Sequence, residues 1–225
     1  MTKDDFLNNI TISLQKTHLP DARPQKPPSP ALPAFEPQSL IAPFTQEALA
    51  LRCEVHQAAS APEAVQHLAD IFLQYHSTEF IAWNDEYFPL PDLRNSLKAQ
   101  GLTCRPLAIP RSDAERQMAM KSLADVSIGL TGALAGLADT GALALQSGAG
   151  RSRLASLLPP VHIAILGVRQ LLPTMAHFFH AYPDAARRAS NLAFISGPSR
   201  TADIEQVLTL GVHGPKDLHI ILVNN

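Results

Sequence analysis

Cysteine is nearly missing from this sequence: Cys53 and Cys104 are its two, and neither sits in a CxxC pair. Two thiols in 225 residues do not make a disulfide framework, so free thiols in a reducing compartment are expected. An excess of charge is also lacking. Asp, Glu, Lys and Arg make up 17% of the chain and the formal net charge is -2, so no global field draws in nucleic acid or an anionic membrane. No basic stripe or set of stacking aromatics is present for nucleic acid to use. No apolar run approaches the roughly 20 residues that span a bilayer. The first residues, MTKDDFLNNITISLQ, carry acids and lack the apolar stretch of a signal peptide. A cytoplasmic protein without a membrane span is expected. Several motifs are absent as well: HExxH, the GxSxG elbow, the GxGxxG fingerprint and the GxxxxGK[ST] loop. A zincin, a hydrolase triad, a dinucleotide site and a Walker loop therefore have no motif support.

The hydrophobic content of 46% is enough for a real core. Residues 2–16 read as a short helix, opened by Thr2 and Asp5 as a capping box with Asp in place of Glu. Eight of the nineteen prolines then fall between Pro20 and Pro43. Proline fixes φ and lacks the N–H, so this stretch reads as an extended arm, outside helix or central strand. Residues 1–43 thus form an N-terminal helix and proline-rich arm, and 44–225 a single domain.

From Phe44 helices and short strands alternate. Helices are expected over 44–52, 60–73 (capped by Ser60 and Glu63), 88–100 (stopped by Gly101), 112–124 (capped by Ser112 and Glu115), 171–189 and 201–208. Strands are expected at 53–58, 79–83, 102–109, 125–132, 142–147, 161–167, 191–196 and 218–223, with Pro106 marking an edge or bulge. Such alternation, with nearly continuous apolar strands, predicts an α/β domain with a largely parallel sheet covered on both faces by helices.

In such sheets ligands lie beyond the carboxyl ends of the strands. Three loops have the content for it. The first, 129–143, carries Gly129, Gly132, Gly136 and Gly141 beside Thr131, Asp139 and Thr140. It reads either as backbone opened by positive φ for close approach to a ligand, or as a pair of tight turns capped by Asp139. The second, 146–160, sets Ser147, Gly148 and Gly150 before Arg151 and Arg153 and an apolar helical turn. It is either an anion site or a glycine turn whose arginines pair with surface acids. In the third, 196–219, Gly197, Ser199, Arg200 and Thr201 lead into the expected helix, with Thr201 as its N-cap. Asp203 there is a candidate general base or a helix-dipole partner, and His213 between two glycines is a candidate acid–base group or a structural turn residue. No histidine lies at a tight metal-ligand spacing from a cysteine or carboxylate. His177 and His180, three apart on an expected helix, are the nearest approach, and no metal site is expected.

Together the stretches GLTGALAGLADTG (129–141), SGAGRSRLASLLPPVHI (147–163) and GPSRTADIEQVLTLGVHGP (197–215) resemble the LUD domain of the lactate-utilization protein C (LutC/YkgG) family. The resemblance runs continuously from about Asp125 to Val223. It implies a NagB/RpiA/CoA-transferase-like, Rossmann-type sheet. It also implies a part in oxidising L-lactate to pyruvate, alongside an iron–sulfur partner subunit and a second oxidoreductase subunit. LUD proteins with their own clusters carry added cysteine motifs; this chain has none, so it resembles the small, cluster-free component. Its loops then hold a small anionic ligand through Thr131, Gly132, Asp139, Thr140, Ser147, Gly148, Gly150, Arg151, Arg153, Gly197, Ser199, Arg200 and Thr201, with Asp203 or His213 moving a proton. Ala142 departs from the family, which often has a hydroxyl there. The same anion-binding loops equally suit a stand-alone sugar-phosphate isomerase or CoA-transferase-like enzyme.

Overall fold

In a computed structural model of the chain, residues 2–16, 31–108, 110, 112–202, 208–210 and 214–224 are described. They form two units, 1–33 and 34–225. In the first, α1 (Lys3–Lys16) opens on the expected reciprocal cap. The Thr2 N–H donates to Asp5 Oδ2 at 2.9 Å and the Asp5 N–H to Thr2 Oγ1 at 3.2 Å.

The second unit begins with α2 (Ile41–Ala50), entered through a short 3-10 turn at Pro37–Leu40. Pro43 therefore lies in the first helical turn, where its missing N–H has no intrahelical partner to lose, so the helix starts three residues before the expected boundary. There follow β1 (Glu54–Ala58), α3 (Ala61–Gln74), β2 (Glu79–Ala82), α4 (Leu93–Ala99), β3 (Thr103–Cys104), α5 (Asp113–Leu123) and β4 (Ile128–Gly132). The chain continues through β5 (Ala135–Leu137), β6 (Ala142–Ser147), α6 (Leu154–Leu157), β7 (Val161–Gly167), β8 (Leu171–Leu172), α7 (Met175–Ala181) and β9 (Asn191–Ile195). It ends with β10 (Arg200–Ala202), β11 (Leu208–Leu210) and β12 (Asp217–Val223).

Six strands make a wholly parallel sheet in the order β1-β12-β7-β4-β2-β3. Its central strands are buried on both faces, as their apolar runs require. A second sheet, β8-β5-β6-β9, is mixed and carries its own core, in which Phe178 of α7 meets Phe194 and Tyr182. β10 and β11 form a separate antiparallel pair.

The strand expected at 102–109 is confined to Thr103–Cys104, and three expected helices also differ. The helix placed at 88–100 is confined to Leu93–Ala99, because Pro89 and Pro91 hold the chain ahead of it out of helix. The span 171–189 holds only seven helical residues; its first two pair as a strand with β5, which satisfies their backbone in a sheet instead. Of the helix placed at 201–208, Thr201, Ala202 and Leu208 are strand residues, pairing 201 with 209 and 202 with 208; residues 203–207 lie outside the described residues. Thr201 is thus a strand residue instead of an N-cap.

Helices α2, α3 and α4 end alike. In each, the residue after the C-cap takes positive φ, and its own N–H and the following one donate back to the last turn: Arg52 (67°), His76 (49°) and Gly101 (82°). This closing turn delivers the chain directly into β1, β2 and β3. Glycine adopts that conformation freely, whereas Arg52 and His76 do so at a cost of about 1 kcal/mol. His76→Gly is accordingly expected to raise unfolding free energy by about 1 kcal/mol in urea titration.

Gly129 marks the tightest helix–sheet contact. A Cβ there would lie 1.9 Å from the Ala155 carbonyl oxygen of α6, with no flexible atom to yield. Gly129→Ala is expected to cost about 1–3 kcal/mol of stability by overpacking, read as a lowered denaturant midpoint.

Candidate functional site

At the carboxyl ends of β2 and β3 the sheet opens into a cleft of about 810 Å³, lined by Asn84, Arg94, Cys104, Arg105 and the loop Gly148–Arg153. The loop is held by backbone. Gly148 and Arg151 exchange N–H···O bonds of 3.0–3.1 Å, the Asn84 N–H donates to the Gly150 carbonyl at 2.9 Å, and Trp83 Nε1–H donates to the Ser152 carbonyl at 3.0 Å. Gly150 has φ +70°, and a Cβ there would strike the Asn84 side chain at 2.6 Å.

Arg151 lays its guanidinium over the Tyr87 ring, 4.5 Å from the centroid, and donates to Gln146 Oε1 at 2.7 Å. Its Nε is buried with no hydrogen-bond partner among the described residues. Arg153 is exposed, and neither it nor Arg151 forms an ion pair among the described residues. Across the cleft, Arg94 donates to the Trp83 carbonyl and lies 3.5 Å from Asp85, while Arg105 bridges Glu79 and Asp125. The Arg105 hydrogen bond holds the Glu79 carboxyl below its usual range. Two of the four arginines are thus charge-balanced by acids and two are not. Cys104, on the cleft wall, has its thiol pushed up by burial and is poorly suited to act as a thiolate. Both cysteines are free.

The three loops do not converge. Gly148, Gly150, Arg151 and Arg153 line the arginine cleft, and Ser147 is buried at the end of β6 just before it. The helix that follows, α6, has four residues, too short for an N-terminal anion site. Thr131 and Gly132 are buried within β4, with Gly132 packed so that a Cβ would meet the Tyr87 carbonyl at 2.0 Å. Gly129, Gly132 and Gly136 serve close packing; Gly141 alone in that loop has positive φ. Asp139 and Thr140 form the exposed β5–β6 turn, joined to each other at 3.3 Å. Gly197 and Ser199 lie instead at the amino ends of β7 and β12, around a smaller cavity of about 250 Å³ shared with His162. Arg200 donates to the Leu51 carbonyl. Asp203 and His213 lie outside the described residues.

Sequence reasoning missed Asn84, Arg94 and Arg105. The only local signal was the expected end of a strand before Asn84; Arg105 fell inside the strand expected at 102–109, which ends instead at Cys104. It also missed a cluster at the other edge of the sheet. There His56 Nε2 lies 3.2 Å from His219 Nδ1, His219 Nε2 lies 3.0 Å from Tyr75 Oη, and Glu54 lies 3.6 Å from His219. Burial lowers the pKa of both His56 and His219. Burial, followed by the nearby Asp217 carboxylate, raises that of Tyr75. His177 and His180 share α7, where His177 Nδ1 lies 2.9 Å from Thr174 Oγ1.

His162 is fully enclosed, with Nε2 2.8 Å from Thr131 Oγ1. Burial pushes its pKa down to about 3. Above its ordinary value near 6.5 it is neutral in both folded and unfolded chains and contributes nothing. As pH falls from there toward 3, only the unfolded chain takes the proton, so stability falls by up to about 1.4 kcal/mol per pH unit. In urea titrations between pH 6 and 4, His162→Gln is expected to remove one proton's worth of that slope.

Among known proteins, the LUD domain family model matches residues 41–223. Lactate utilization protein C of Halalkalibacterium halodurans is 30% identical over 95% of this chain and 94% of its own length. The uncharacterized protein YkgG of Escherichia coli K12 is 31% identical over 80% of this chain and 76% of its own. A crystal structure of a DUF162 family protein from Deinococcus radiodurans superposes with a TM-score of 0.60 at 22% identity, covering 84% of this chain and 99% of that one, which shows a shared fold. No helix among the described residues is long and apolar enough to cross a membrane.

Proposed function

The chain belongs to the LUD domain family, and from that premise we propose that it is the cluster-free, ligand-binding component of a lactate-utilization system. Its arginine cleft takes the carboxylate of a small 2-hydroxy or 2-oxo acid, and electrons move on an iron–sulfur partner subunit and a second oxidoreductase subunit. The observation that carries this reading is the convergence of Arg94, Arg105, Arg151 and Arg153 on one cleft, with Arg151 and Arg153 unmatched by acids among the described residues. A planar guanidinium presents parallel N–H groups that match a carboxylate, and a buried unpaired N–H such as Arg151 Nε calls for an acceptor. The near full-length similarity to lactate utilization protein C supplies the metabolic setting. The cysteine count supports placing clusters elsewhere: the usual iron–sulfur cluster takes four thiolates, and this chain has two cysteines.

In this reading Arg151 and Arg153 bind the anion, Tyr87 holds the Arg151 guanidinium flat, and Asn84 fixes the loop that presents both arginines. A strain without this protein is expected to lose growth on L-lactate and to regain it with the native chain but not with Arg151→Ala/Arg153→Ala. Calorimetry with L-lactate and pyruvate is expected to show at least about tenfold weaker binding by that variant, since a hydrogen bond to a charged group is worth roughly 1.5–3 kcal/mol. Full growth with the variant, together with unchanged binding, sinks the assignment. Turnover of a sugar phosphate or acyl-CoA by the isolated chain would put a stand-alone enzyme in its place.

A further inference from the structure

We propose that Glu54, His56 and His219 form a binding site for a divalent transition-metal ion of the zinc type, remote from the arginine cleft. Parallel register sets Glu54 of β1 directly beside His219 of β12, and His56 follows two residues later on the same face of the sheet. One ligand atom from each of the three lies within 4.8 Å of the others. Bonds of 2.0–2.1 Å in a tetrahedral zinc site separate ligand atoms by about 3.3–3.4 Å. The observed separations of 3.2 Å (His56 to His219) and 3.6 Å (His219 to Glu54) bracket that edge. Two imidazole nitrogens with one carboxylate oxygen is a donor set that zinc accepts, with the fourth position left for water. Glu54 is exposed, so that position faces solvent.

The surroundings complete the arrangement. A ligating histidine ordinarily donates its other ring N–H to an acceptor, which fixes the tautomer. Tyr75 Oη lies 3.0 Å from His219 Nε2 and can accept a proton carried there, the tautomer that would leave the Nδ1 lone pair for the metal. The His56 tautomer protonated at Nδ1 would likewise free Nε2, which lies 3.2 Å from His219 Nδ1. His219 is buried and His56 half-buried, and the two rings stack at 5.5 Å between centroids. The metal joins β1, an edge strand, to β12.

The test uses the full chain, stripped with chelator and titrated with Co2+, whose visible bands report tetrahedral coordination, then with Zn2+ by calorimetry. One equivalent of Co2+ is expected to bind, to be displaced by Zn2+, and to raise the melting temperature as any ligand of the native state does. His56→Gln and Glu54→Gln, on side chains outside the fully buried core, are expected to abolish the bands while keeping the metal-free melting temperature near that of the native chain. Tyr75→Phe keeps all three ligands and is expected to weaken binding about 10- to 100-fold through the lost orienting contact. Absence of stoichiometric Co2+ uptake by the native chain, or uptake undiminished by His56→Gln, overturns the proposal.

Discussion

The parallel register between β1 and β12 is the constraint on which the rest of the unit depends. It joins residues 163 positions apart, as in the His56–His219 contact, and β12 is the only strand of the six-stranded sheet on which β1 is paired. Until β12 slides between β1 and β7, β1 lacks a partner, β7 is paired on one side alone, and α3 has nothing continuous to cover. Such long-range parallel pairing is reached late, because loop closure must be met before the pairing returns anything. Once made, it fixes which side chains share a face. A slip of one residue would turn His219 away from Glu54 and His56 and expose the apolar residues beside it.

The strands were the most legible part of the sequence. The runs at 142–147, 161–167 and 191–196 appear within a residue of their expected bounds, because an uninterrupted apolar run bounded by turn residues has few other uses in a parallel or mixed sheet. The caps at Thr2, Ser60 and Ser112 were equally plain, since the Ser/Thr-x-x-acid pattern satisfies its own N–H groups locally. Errors arose where partners decide the outcome. Leu171 and Leu172 fit a helix until β5 claims them, and Thr201 fits a cap until Thr209 faces it.

The arginine cleft was half legible. Arg151 and Arg153 announced themselves by their glycine-rich approach, but nothing local distinguished Arg94 or Arg105 from surface arginines; the ends of two parallel strands bring them into the same space. The assumption that glycine-rich loops gather at one edge failed for a topological reason. Residues 196–199 and 214–215, which lead toward β12, lie at the amino ends of the strands, while 148–153 hangs over the carboxyl ends of β2 and β3. Loop content records what the backbone can do; which edge it serves is set by the direction of the strand it joins.

The loop that presents Arg151 and Arg153 is tied at Gly148, Gly150 and Ser152 to itself and to the end of β2. Such a loop is a wall rather than a lid. If the cleft takes an anion as proposed, that ligand would meet no closure step, and capture would run as fast as diffusion and the pull of the guanidinium charges deliver it. Discrimination among acids would then rest on the width between the loop and the Arg94–Arg105 side, which the fold sets in advance.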